Sequence, residues 1–160
     1  MSGYPSLAHR YREVAVKTAN PLQLVVMMYD AAICSLQEAK EQVGRKDIAG
    51  RSRSINKCIS IISELQSCLN LKQGGEIATS LDRLYDYMKR RIFTANVEQS
   101  IEPLEEIESL LENLRSAWSE LVAQSQVSSA QQGAPAMPKP EILGSDSAVA
   151  MQIKSLNISI

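Results

Sequence analysis

The chain is poor in the residues from which most catalytic and metal sites are built. It carries one histidine, His9, in 160 residues. A single imidazole excludes two-histidine zinc sites and the paired Glu-x-x-His motifs of di-iron bundles. Its three cysteines, Cys34, Cys58 and Cys68, form neither C-x-x-C nor a zinc spacing. Each stands beside aliphatic residues in a helical pattern, as reduced thiols that act as small hydrophobes do. No apolar run approaches the roughly 18 residues needed to span a bilayer. The N-terminal stretch MSGYPSLAHRYREV lacks the apolar core of a signal peptide. A cytosolic protein is expected, with no stable membrane insertion. The net charge of −1 supplies no basic field for nucleic acid. No Gly-rich phosphate cradle or nucleophile–base spacing is present, so neither an enzyme nor a cofactor is expected.

What the chain has is helical periodicity. The segment GGEIATSLDRLYDYMKRRIFTAN, residues 74–96, opens on two glycines and then runs without Gly or Pro. Ile77, Leu81, Leu84, Tyr85, Met88 and Ile92 fill one stripe roughly 100° wide on a helical wheel. Asp86 stands four residues before Arg90, the favourable order for an ion pair. Lys89, Arg90 and Arg91 fall towards the C-terminal end, where positive charge suits the helix dipole. Phe93, the only phenylalanine, points away from the main stripe.

Asn20-Pro21 reads as N-cap and first helical position, and Gly44 as the stop, of an earlier helix. Leu22, Val25, Val26, Tyr29, Ala32, Ile33, Leu36 and Val43 make its main face. A second stripe, Leu24, Met27, Ala31 and Cys34, lies roughly opposite. A helix apolar on two sides is either sandwiched or has one side free for a partner. Asp47 can cap the next helix, which should run to about Leu69. Its core face is Ile48, Ile55, Cys58, Ile59, Ile62, Leu65 and Leu69, with Ile61 and Cys68 at one edge. The basic cluster of Arg45, Lys46, Arg51, Arg53 and Lys57 has no interleaved aromatics and reads as a solvated face. Ser100 can cap a fourth helix whose apolar face includes Leu104, Ile107, Leu111, Leu114, Trp118 and Leu121. Pro103 is tolerable within its first turn.

Four such helices joined by short turns predict an all-α, antiparallel up-down four-helix bundle over residues 20–123. Residues 1–19 form an N-terminal arm carrying Tyr4, Leu7 and Tyr11. Residues 124–146, rich in Ser, Gln, Ala and Pro, read as a flexible linker. The apolar C-terminal tail, 147–160, carries a helix-compatible stripe of Val149, Ile153, Leu156 and Ile160, while Met151 and Ile158 also permit strand alternation. On physical grounds alone this is a helical bundle with surplus apolar surface, suited to interaction. A self-associating structural module, for example a homodimer, is the competing reading.

The 74–96 segment resembles the signature of the flagellar export chaperone family FliS. YREVAV around Tyr11, NPLQLVVMMYDAA at the first helix start and LLENLRSAW in the fourth agree with that family in order and spacing. The likeness covers about residues 8–122. It implies a cytosolic chaperone that holds the disordered C-terminal segment of flagellin, which folds into helices along the bundle. It further implies protection from premature polymerisation and delivery to the export gate of the flagellar secretion apparatus. Homologues also contact the flagellin-binding regulator FliW. The N-terminal arm is expected to cover client surface, through Tyr4, Leu7 and Tyr11 here. Combined with the helical wheels, the likeness makes Leu24, Met27, Ala31, Cys34, Ile61, Cys68 and Phe93 the candidate client contacts.

Overall fold

The computed structural model of the chain describes residues 21–131. Four helices account for nearly all of them: α1 (Pro21–Gly44), α2 (Ile48–Ser67), α3 (Gly75–Glu98) and α4 (Glu102–Gln131). The expected Asn20 cap, the N-terminal arm and the 147–160 tail lie outside the described residues.

Short turns and the cross-helix pairs fix an antiparallel bundle. Arg51 at the start of α2 reaches Asn96 at the end of α3, while Gln66 at the end of α2 meets Asp82 near the start of α3. Asp30 pairs with Arg115 and Lys40 with Glu108, so α1 and α4 also run in opposite senses. α1 packs on α2 and α4, and α3 closes the ring between the same two.

The helix boundaries follow from local chemistry. The Asp47 carboxylate accepts the Gly50 N–H at 2.9 Å and so caps α2. A Cβ at Gly50 would lie 2.1 Å from Asp47 Oδ2, so the cap requires glycine there. Gly75 adopts φ +55° at the entry to α3, a conformation that suits glycine. α4 departs from expectation at both ends. Its first carbonyl acceptor is Ile101, which bonds the N–H groups of Leu104 and Glu105, and not Ser100. It then continues past Ala123 to Gln131, because Ser, Gln and Ala extend a helix once packing has nucleated it. The segment expected to start a linker at residue 124 is therefore helical for its first turns.

Two electrostatic expectations for α3 are also corrected. Asp86 pairs with Lys89 at 3.2 Å, not with Arg90. The helix runs on to Glu98, so Lys89, Arg90 and Arg91 stand well before its last turn. Positive charge reaches the C-terminal end from another helix instead. The buried Arg51 of α2 donates to the Asn96 side chain at 3.0 Å and to the Asn96 carbonyl at 3.4 Å.

The core holds Tyr29, Tyr85 and Trp118 among Leu36, Ile55, Ile61, Ile62, Met88, Ile92, Leu104, Ile107 and Leu111. The Tyr29 and Tyr85 hydroxyls hydrogen-bond to each other across the diagonal between α1 and α3, and the Trp118 side chain is a further partner of Tyr29. Burial pushes Tyr29 up to about 12, raises Tyr85 well above an ordinary tyrosine, and lifts the Cys58 thiol to about 12. All three hold their protons more tightly folded than unfolded. Their contribution is therefore intact below the unfolded values of 9.0 for Cys58 and 10.0 for the tyrosines. It is lost as pH rises towards 12. Thermal melts from pH 8 upwards are expected to show a falling midpoint beyond about pH 9. Tyr29→Phe strands the Tyr85 hydroxyl and should cost about 1–3 kcal/mol. The Tyr29→Phe/Tyr85→Phe double variant should recover part of that loss in denaturant titrations.

Candidate functional site

The row of α3 residues that faces α2 is Asp82, Asp86, Lys89, Phe93 and Asn96, spaced by alternate steps of four and three. Four of these five are polar and bound. The Gln66 amide donates to Asp82 Oδ1 at 2.8 Å and to Asp86 Oδ1 at 3.0 Å, and its carbonyl accepts from Lys89. Hydrogen bonding from Gln66, then from Lys89, holds the Asp86 carboxyl below the usual carboxylate range. At the other end Asn96 takes Arg51. The seam between α2 and α3 is thus stitched at both ends and open in the middle.

At the opening stands Phe93, 61% exposed. With Ile59, Lys89, Arg90 and Thr94 it lines a shallow groove of about 460 Å³. One turn on, Val97 is 65% exposed, and Ile48 at the start of α2 is 60% exposed. Apolar side chains this open would gain from being covered. The seam between α3 and α4 is closed by comparison. There Glu106 accepts from Tyr87 and from Arg91, the latter at 2.8 Å. Those two bonds, Tyr87's first, hold its carboxyl low.

The structure divides the residues expected from the helical wheels. Phe93 lies on the surface, as its position off the main stripe predicts. On α1, Cys34 is exposed and Met27 and Ala31 are partly buried, while Leu24 is buried at the edge of the helix's inward face. Cys68 is partly buried at the end of α2. Ile61 is a correction: it has no exposed surface and belongs to the core. Ile59, expected inside, is partly buried against the core and also lines the groove. Ile48, also expected inside, is exposed. Tyr4, Leu7 and Tyr11 lie outside the described residues. Val97 is a surface position that the helical wheels do not pick out. A signal for it exists, since it follows Phe93 by four residues on the same α3 face.

Chemically this arrangement offers apolar contact at Phe93 and Ile59, flanked by bound polar side chains. Among the described residues no group of three His, Cys, Asp or Glu side chains is placed to hold a metal ion. No described helix is long and apolar enough to cross a membrane.

The family model for flagellar protein FliS matches residues 4–125. This chain belongs to the FliS family. The flagellar secretion chaperone FliS of Salmonella typhimurium is 38% identical over 121 residues, covering 75% of this chain and 90% of that protein. The FliS chaperone of Vibrio cholerae is 31% identical over 115 residues, covering 69% and 85%. That of Bacillus subtilis is 30% identical over 112 residues, covering 70% and 83%. The FliS match contains all of α1, α2 and α3, the groove, and α4 as far as Ser125. Residues 126–160 lie beyond it.

Proposed function

We infer that this chain is a cytoplasmic flagellar secretion chaperone whose client is the C-terminal segment of flagellin. It keeps that segment from premature assembly and hands it to the export gate. The observation that carries the reading is the break in the α2–α3 seam at Phe93 and Ile59. It sits in a chain whose relatives are named as flagellar secretion chaperones. An amphipathic helix laid into this groove would cover Phe93 and Val97, the usual mode of helix-in-groove recognition. A client that folds as it binds loses ordering entropy, which extended apolar contact must offset. The outer side of α1, with Met27, Ala31 and Cys34, supplies a second strip of contact on the far side of the bundle.

Isothermal titration with the flagellin C-terminal segment tests the reading directly. Met27→Glu is expected to weaken binding about tenfold, because a client helix covering this position would have to desolvate the new carboxylate. Its circular dichroism and melting should stay near those of the parent, because Met27 lies outside the contiguous core. A collapse of helix content in Met27→Glu would make the outer α1 stripe structural. Light scattering on the same samples addresses self-association: a constant oligomer indifferent to the segment would replace the chaperone reading with a structural one.

A further inference from the structure

We propose that the C-terminal stretch of this chain, residues 147–160, is an intramolecular ligand of the α2–α3 groove and covers Phe93 when no partner is bound. Val149, Ile153, Leu156 and Ile160 fall within roughly 60° of one another on a helical wheel, a narrow apolar edge of the kind that fills a groove. Lys154, the one charge in the stretch, lies about 130° round the wheel from that edge and faces solvent when the edge is seated.

The charges at the groove mouth complement the approach. Lys89 is occupied by Asp86 and Gln66. Arg90, also at the rim, enters no ion pair among the described residues. Asp146 immediately precedes the apolar stretch and lies at the margin of its stripe, where it meets Arg90.

The reach is sufficient. Arg91 pairs with Glu106 at 2.7 Å, which sets the level of the groove along α4. From Glu106 to Gln131 the helix rises about 38 Å at ~1.5 Å per residue. Residues 132–146 span up to about 50 Å at ~3.3 Å per residue. That exceeds the distance back along the bundle, with about one helix diameter of ~10 Å left to pass α3, which stands between α4 and the seam. Pro135, Pro138 and Pro140 favour an extended path over a collapsed one. The stretch also lies outside the family match, so the device belongs to this chain and not to the shared bundle.

Docking as such does not depend on the client; only competition with the client rests on the flagellin reading. The chain's one phenylalanine makes the test clean, since 4-fluorophenylalanine incorporated into the full chain reports a single 19F resonance at Phe93. Ile153→Asp/Leu156→Asp should move that resonance and raise its sensitivity to exchange of H2O for D2O. Arg90→Glu should do so in part, and Arg90→Glu/Asp146→Arg should restore the parent signal. A synthetic 145–160 peptide added to the Ile153→Asp/Leu156→Asp protein should restore it as well. A resonance that is solvent-exposed and identical in parent and double variant overturns the proposal. A shift that disappears on dilution overturns its intramolecular form in favour of exchange between copies. Titration with the flagellin segment separates the two readings. If tail and client compete, and the tail occupies the groove nine-tenths of the time, the double variant should bind the segment about tenfold more tightly. A Phe93 signal that answers to the tail but not to the segment leaves tail docking intact and removes the client from this groove. The converse removes the tail.

Discussion

Phe93→Glu is expected to weaken binding of the flagellin C-terminal segment by about 30- to 1000-fold, the range for removing an aromatic anchor at the centre of an interface. The charge adds to the loss of the ring. A carboxylate placed between Ile59 and Thr94 would have to be desolvated by any apolar helix entering the groove. Stability should hardly change. The ring is 61% exposed and makes no core contact that a polar side chain would forfeit, and surface substitutions of this kind usually stay within about 0.5 kcal/mol. Titration calorimetry with the segment should therefore register a large loss in a protein whose thermal melt is almost unchanged. An unaltered affinity would move the client off the α2–α3 seam and leave the outer α1 strip as its main contact. Phe93→Leu is the informative control. It keeps apolar volume at the groove and should retain most of the binding that glutamate abolishes.

Much of the architecture can be read from residues 20–123 alone, because bundle helices announce themselves by period and punctuation. Asp47, Gly44 and the Gly74-Gly75 pair mark three boundaries through chemistry that acts within a few residues. The pairings across helices are less legible. Arg51 serving the C-terminal end of α3, or Gln66 gathering Asp82, Asp86 and Lys89, depends on how α2 and α3 meet, and no spacing within one helix encodes that.

The candidate site is only partly legible for a related reason. On α2 the wheel centres the core on Ile48, Ile55, Cys58, Ile59, Ile62, Leu65 and Leu69, yet the buried face is turned by roughly 50° so that it takes in Gly50, Ser54 and Ile61, releases Ile48 and leaves Ile59 at its rim. Gly50 and Ser54 carry no hydrophobic signal. They are nonetheless the residues that let α2 approach its neighbours: Gly50 lies under the Asp47 cap and Ser54 hydrogen-bonds Glu38 of α1 at 3.4 Å. A pattern weighted by apolar side chains turns towards the isoleucines and misses them. The rotation that hides Ile61 is also what brings Ile59 beside Phe93, so the misplacement of one residue and the existence of the groove share one cause.

That rotation can be tested by stability. Ile61→Ala is expected to destabilise the bundle by about 2–5 kcal/mol, the range for truncating a fully buried aliphatic side chain. In a domain of this size that lowers the melting midpoint by roughly 10 °C or more. The flagellin segment should still bind Ile61→Ala at temperatures where the protein remains folded, since Ile61 has no surface to offer it. Ile59→Ala should behave in the reverse way. Its side chain is partly buried against the core and otherwise lines the groove, so the melt should shift by only about 1 kcal/mol, while affinity falls several-fold. Were α2 instead oriented as hydrophobic periodicity alone suggests, the two alanine variants would exchange their phenotypes. A single pair of substitutions two residues apart thus reads the helix's rotation from a melt that needs no client, and the position of the groove from an affinity that does.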